Sequence, residues 1–327
     1  MSLSPYIHAI GRGPSRGRSL TQAEAADAMS QILAGTAAPE AVGALLMLMR
    51  YRGETAAEIA GFTQAARRSL GEWQGIGATL DWPSYAAGRS RGLPWFLISA
   101  QLMARSGQRV LLQGWNSHQK EILDVRKGAR ALGIPIATDH VHARTVLAEQ
   151  GIVYAPLEVV SPALLKTLKL RQTLGLRSAA NTLCRMLNPG RAETAVQGVF
   201  HPSYKGLQQD AGRLLGQARL MVIKGGGGEF ERHPAKACTA LGLAAGVPSQ
   251  ITHPAILGEH RRLADGAYTR SMLSDFWSGD IWDPWAEAIV IGTTALALIA
   301  VEPDLAHDHA LQRAQALWHQ RHRRIAA

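Results

Sequence analysis

From Val159 to Ala192 the chain carries Lys166, Lys169, Arg171, Arg177, Arg185 and Arg191 without one acidic residue. Side chains of that type and density neutralise phosphate or carboxylate groups, and an unmixed basic face repels itself until an anion meets it. A merely solvated helix face is the competing reading. The run Gly225-Gly226-Gly227-Gly228 is a second candidate: its amides could cradle phosphate at a helix start, or it could be a plain strand-to-loop turn. His140-x-His142 has the spacing of two metal ligands, but no cysteine or carboxylate set completes it, so no metal site is expected there. Tyr85, Trp95, Trp115 and Tyr204 could stack on a flat ligand or simply wall a core or cleft. The tryptophan- and acid-rich segment 275–285 reads as a packed surface loop, and Arg321 to Arg324 as a frayed basic tail.

Two short helices are expected to display the basic residues. Ser161 followed by Pro162 is a helix start, because proline's fixed φ suits the first helical position and the serine oxygen can cap a free N–H. Leu164, Leu165 and Leu168 then share one side and Lys166, Lys169 and Thr173 the other, until Gly175. Ser178 opens a second helix, with Leu183, Met186 and Leu187 inward and Asn181 beside Arg185 outward, and Asn188-Pro189-Gly190 stops it. Upstream, residues 1–18 read as a flexible basic arm or an ordered loop around Arg12, Arg16 and Arg18. Thr21 with Glu24, and Thr55 with Glu58, form capping boxes that open helices, and Pro39 opens another between them. Val42, Leu45, Leu46 and Met49 exceed what three short helices can hide, which predicts a homodimer.

From about Gly75 short β-type runs alternate with helical stretches: 78–82, 109–113, 134–138, 196–200 and 220–224 against 94–105, 119–132, 142–150 and 203–216. That alternation predicts an α/β fold with a mostly parallel central sheet, and ligands beyond the carboxyl ends of its strands, after Leu80, Leu112 and Ile223. The 327 residues, 46% of them hydrophobic, suit one large α/β domain with a smaller one, and a net charge of +10 favours anionic partners. Cys184 and Cys238 have no C-x-x-C spacing and read as buried reduced thiols of a cytoplasmic protein. No signal peptide is recognisable at the N-terminus. The apolar run 286–301 is shorter than a span needs and reads as a buried helix, so no membrane is expected.

The run Leu20 to Arg67, LTQAEAADAMSQILAGTAAPEAVGALLMLMRYRGETAAEIAGFTQAAR, resembles the anthranilate phosphoribosyltransferase and pyrimidine nucleoside phosphorylase family, glycosyltransferase family three. LRQTLGLRSAANTLCRMLNPG at 170–190 and VQGVFHPSY at 196–204 extend the resemblance over nearly the whole chain. It implies a small N-terminal helical domain, 1–73, completed by helices from 159–190, packed on a larger α/β domain, 74–327, with dimerisation through the helical domain.

The resemblance also locates departures. The family's Gly-Thr-Gly-Gly-Asp phosphate loop is replaced by Pro83, Tyr85, Ala86 and Ala87, and its His-Gly-Asn-Arg loop appears as Gln113-Gly114-Trp115-Asn116. Trp115 thus takes a ligand-facing position. Of the family's metal-binding Asp-Glu pair, Glu229 can stand in for the aspartate, while Phe230 falls where the glutamate belongs and Glu231 compensates only if the loop shifts. Arg171 matches the arginine that meets the anthranilate carboxylate, and Arg177 and Asn181 also match.

From these departures the expected function is non-specific binding of DNA or RNA by a member of a non-catalytic nucleic-acid-binding branch, leaning against an enzyme, with no cofactor and no metal. Its binding residues would be Lys166, Lys169, Arg171, Arg177, Arg185, Arg89, Arg91, Lys205, Lys224 and Trp115, with Arg232 nearby. Gly114, Asn116, Asn181, Gly225, Gly226 and Glu229 would be a vestigial substrate site. The alternative is an active phosphoribosyltransferase on anthranilate or a related aromatic acid with a divergent phosphate loop, using Mg2+.

Overall fold

The computed structural model describes residues 2–13, 15–85, 92–116, 124–259, 269 and 271–322. Its first elements are helices α1 (Ser4–Gly11), α2 (Gln22–Leu33), α3 (Pro39–Arg52) and α4 (Ala56–Arg68), and the shorter helices further on include α6 (Val125–Ala131), α7 (His140–Gln150), α8 (Leu157–Val160) and α12 (Met272–Ser278). The arm expected at 1–18 is therefore partly helical, held because Leu3 and Ile10 are buried where α1 packs on α3. Both capping boxes form: Thr21 and Thr55 accept from the amides of Glu24 and Glu58, whose carboxylates accept in return. Glu58 also accepts from the buried Leu20 amide at 2.8 Å, tying the entry of α2 to that of α4. The two helices cross at Gly61, where a Cβ would stand 2.2 Å from the Gln22 carbonyl oxygen.

Helices α9 (Pro162–Leu174) and α10 (Ala179–Arg185) pack on α2, α3 and α4, although some hundred residues separate them in the chain. Ser161 caps α9 by accepting from the Leu164 amide at 3.3 Å, and Gly175 ends it at φ +70°. The Arg67 guanidinium is buried and donates to the carbonyls of Leu187 and Met186 at 2.8 and 3.0 Å, fastening α4 to the turn after α10. Val42, Leu45, Leu46 and Met49 are buried by this packing within one chain, which removes the surface on which the dimer was argued.

The α/β part is a seven-stranded sheet in the order β3-β2-β1-β4-β5-β6-β7. The parallel strands are β1 (Leu80–Ser84), β2 (Val110–Gly114), β3 (Ile152–Pro156), β4 (Thr194–Val199) and β5 (Arg219–Lys224). β6 (Cys238–Ala244) and β7 (Val247–His253) extend them as an antiparallel hairpin. The strand expected at 134–138 is only an Ile136–Tyr154 bridge, since Pro135 offers no N–H to a ladder; β3 takes that place in the sheet. The hairpin was not anticipated. Its first strand, CTALGLA, is poor in β-branched residues, and its turn is made by Ala245 and Gly246, both at positive φ, the backbone that two-residue hairpins require.

Alternation along the strands sorts two cores. Leu80, Trp82, Val110, Leu112 and Val196 face helices α5 (Phe96–Arg105), α13 (Pro284–Val301) and α14 (His307–His319), while Leu111, Val153 and Ala155 face the helical unit. Among the described residues α13 is the one helix long and apolar enough to cross a membrane, but 78% of it is buried inside the chain. It lies against β4, β5, α5 and α14. Asp81, also facing the helical unit, is fully buried, and burial pushes its pKa up to about 8 against the pull of Arg67 and of the Gln113 amide.

Candidate active site

A cleft opens where the carboxyl ends of β1, β2, β4 and β5 meet the helical unit, as expected for an α/β sheet. Its first part is a cavity of about 230 Å³ between Tyr85 and Trp115 at the ends of β1 and β2, Leu168, Lys169, Arg171 and Gln172 of α9, and Asn181 of α10. The Tyr85 hydroxyl donates to Gln113 Oε1, which fixes one wall, and Lys169 Nζ lies 5.9 Å from the centre of the Trp115 ring. The two strand ends are locked together. Asn116 Nδ2 donates to both the carbonyl and the hydroxyl of Ser84 at 3.0 Å, and a Cβ at Gly114 would stand 1.9 Å from the Ser84 carbonyl oxygen. Gly114 and Asn116 are thus part of the scaffold that sets Trp115.

Asn181 is shared with a second cavity of about 100 Å³, walled by Arg50 of α3, Arg177, Arg185 of α10, His201, and Tyr204 and Gln208 of α11 (Tyr204–Leu214). Arg185 does not point outward as expected. It is buried, with Nη1 donating to the Asn181 carbonyl at 3.0 Å, because α10 packs on α4 and β1, and it lines this cavity. Burial and the neighbouring guanidiniums of Arg171, Arg185 and Arg50 lower the Arg177 pKa to about 10. Arg50 Nη1 donates to the Tyr204 hydroxyl at 2.8 Å. Sequence reading missed Arg50 because α3 lies far from the basic run in the chain; its one signal was its place in the last turn of a helix.

Phe200 and His201 lead to a third, more open part of about 540 Å³, which holds Lys205, Lys224, Lys236 and the glycine run. The glycine run is a single tight 3-10 turn, Gly226–Gly228, with Gly227 and Gly228 at positive φ, and no α-helix starts on it. The amides of Gly226, Gly228 and Glu229 donate to carbonyls within the segment 225–231, so phosphate would meet lysines here more than an amide nest. Lys205 Nζ is held by the Thr239 carbonyl at 2.7 Å. Beside the turn, Phe230 enters the core edge-on to Trp82, with 5.3 Å between ring centres, while Glu229 and Glu231 are both buried. Glu231 accepts from the Phe96 amide at 3.0 Å at the start of α5.

Of the other expected binding residues, Lys166 is exposed on α9 and lines none of these three cavities. Arg232 is buried and lines none of these three cavities, bonded to the His307 ring at 3.1 Å and to the Pro254 carbonyl. Arg89 and Arg91 lie outside the described residues. His142 Nδ1 accepts from the Thr138 amide at 3.2 Å, a local turn contact.

The chain matches two models of one family: the glycosyl transferase family helical bundle domain over residues 4–70 and the glycosyl transferase family a/b domain over residues 128–256. A protein of Chloroflexus aurantiacus named anthranilate phosphoribosyltransferase is 28% identical over 306 residues, covering 90% of each chain. Among solved structures, anthranilate phosphoribosyltransferase from Thermus thermophilus superposes with a TM-score of 0.81 at 20% identity, covering 97% of this chain and 94% of that one. The Saccharomyces cerevisiae enzyme in complex with PRPP and Mg superposes with a TM-score of 0.77 at 15% identity, covering 97% and 93%.

These similarities overturn the expectation of a nucleic-acid binder, because full-length relatives and structural neighbours alike are named as transferases. The physical ground for that expectation also fails: the basic residues do not form one continuous face, since Arg185 and Arg232 are buried and Lys166 stands off the cleft. The expectation of no cofactor falls too, on the neighbour that holds PRPP and Mg.

Proposed function

Because the chain belongs to the glycosyl transferase family, with both its helical bundle and its a/b domain, we propose that it transfers a phosphoribosyl group from phosphoribosyl pyrophosphate to anthranilate or a related aromatic acid. The observation that carries this reading is the chemistry of the 230 Å³ cavity. Two aromatic rings and Leu168 suit a planar ring, and Arg171 with Lys169 suits its carboxylate. In the transfer the acceptor's amine nitrogen forms the bond to ribose C1 as the bond from C1 to pyrophosphate breaks and the amine proton is released. The protein's part is positioning and charge neutralisation.

The donor side is the divergent one. Pro83 and Tyr85 lack the flexibility of a glycine loop and Pro83 has no amide to offer, so among the described residues the lysines at positions 205, 224 and 236 are placed to meet phosphate. Magnesium binds through one or two carboxylates and otherwise through water and substrate phosphates. Glu229 and Glu231 would hold it, and the missing side chain at Gly226 leaves room beside Glu231, since a Cβ there would come within 2.7 Å of Glu231 Oε1. When bound, the ion would neutralise pyrophosphate and ease its departure. Two buried, unpaired thiols, Cys184 and Cys238, suit a cytoplasmic location.

Incubation with phosphoribosyl pyrophosphate, Mg2+ and anthranilate is expected to consume anthranilate, followed by its fluorescence, with equimolar release of pyrophosphate. Unchanged fluorescence at micromolar protein would refute transfer to this acceptor, and no pyrophosphate release with any aromatic acid would refute the reading. We carry a homodimer through the helical domain as part of the proposal, on the resemblance alone. Light scattering is expected to give twice the 35.2 kDa chain mass, and the monomer mass at all concentrations would exclude it.

A further inference from the structure

We propose that the arginine-walled cavity between α3, α10 and α11 is a separate binding site for one tetrahedral oxyanion, either free phosphate or the phosphate group of a larger ligand. This inference does not rest on the transfer reading. Arg185 is 6% exposed, spends Nη1 on a carbonyl and has no partner for Nη2. A buried guanidinium nitrogen left without an acceptor is costly, and an anion in the cavity that Arg185 lines removes that cost. Gln208, 1% exposed on the same wall, also has an amide oxygen without a partner; turned by half a rotation, its amide would donate to the anion.

The charge balance points the same way. Arg50, Arg171, Arg177 and Arg185 lie within electrostatic reach of one another, and the carboxylates near them are Glu54, beside Arg50 and Tyr204, and Glu229, on the Arg185 side. Neither carboxylate lines the cavity. Of these groups only Arg50, Arg177 and Arg185 line the cavity, and that surplus of positive charge suits a doubly charged ligand. Size then sets its class. A volume of about 100 Å³, the smallest of the three parts of the cleft, suits a ligand group as small as one phosphate. Because Arg50 comes from the helical unit and Tyr204 from the helix packed on β5, a bound oxyanion would also fasten the two layers together.

The test is calorimetric titration with inorganic phosphate in chloride buffer at constant ionic strength, paired with thermal unfolding. Saturable binding at one site per chain and a rise in melting temperature are expected. Arg177→Gln and Arg50→Gln should each weaken phosphate at least tenfold, whereas Lys166→Gln should not. Arg50 is exposed at a helix end, so its variant keeps the test valid even if a change at Arg177 disturbs folding. Ribose 5-phosphate is the second probe. Displacement of phosphate by it would identify a phosphomonoester as the ligand, and failure to displace would identify free phosphate. No saturable binding, or affinity unchanged in both arginine variants, would overturn the proposal, as would binding lost only in Arg171→Gln.

Discussion

Arg171→Gln is expected to lower kcat/KM for the aromatic acid by roughly 30- to 1,000-fold, with little change in melting temperature or in the KM for the sugar donor. Truncating one partner of a desolvated, hydrogen-bonded charge pair costs about 2–5 kcal/mol, and the lower part of that range gives this factor at about 1.4 kcal/mol per decade. Arg171 is exposed and lines the aromatic cavity at the outer end of α9, so in the free protein its guanidinium is solvated and its removal leaves no hole. The pair becomes dry only when the acid's ring fills the space between Tyr85 and Trp115. Arg171→Lys should recover part of the loss, because lysine keeps the charge but not the two-pronged geometry that matches a carboxylate. Steady-state kinetics with both variants decides the matter. Full activity in Arg171→Gln would move the acceptor out of this cavity, and an equal loss in Arg171→Lys with a lowered melting temperature would make the residue structural.

How much of this was legible follows from the range over which each signal acts. Capping boxes at Thr21 and Thr55, the Ser161-Pro162 start and the Gly175 stop are decided by three or four neighbouring residues, and the structure has them where the sequence puts them. β6 was hidden because its residues carry little intrinsic strand preference and are recruited by the open edge of β5, and β7, interrupted by Pro248, pairs in turn with β6. The site divides in the same way. Arg171, Arg177 and Asn181 could be picked out as a run of one charge on adjacent helices, but whether each faces solvent, cavity or core depends on what packs against α10. That contact with α4 is long-range, and it turned Arg185 from an expected surface group into a buried one. Arg50 carries no local mark of function and enters the site only because α3 folds over α11's tyrosine.

A long-range effect also governs the second large expectation, that Asp81→Asn raises stability at pH 8 and leaves it nearly unchanged near pH 4. Asp81 is fully buried in β1, and its pKa is pushed up to about 8 from an ordinary 3.8 by burial. The folded state therefore holds a proton that the unfolded state releases between those values. Its contribution is fully present below the unfolded pKa and is lost as pH rises through about 8. At pH 7 the difference is of order 4 kcal/mol, taking about 1.4 kcal/mol per pH unit. Asparagine has nearly the same shape and never ionises, so it should remove the slope and raise the melting temperature by several degrees above neutral pH. The competing arrangement is an ionised Asp81 paired with Arg67, but that guanidinium donates to the carbonyls of Leu187 and Met186. If the pair did exist, asparagine would strand a buried arginine and destabilise the chain at every pH above 4. Thermal unfolding of wild type and Asp81→Asn from pH 4 to 9 separates the two: curves that diverge upward in the variant's favour support a neutral buried carboxyl, and curves that diverge the other way or run parallel reject it.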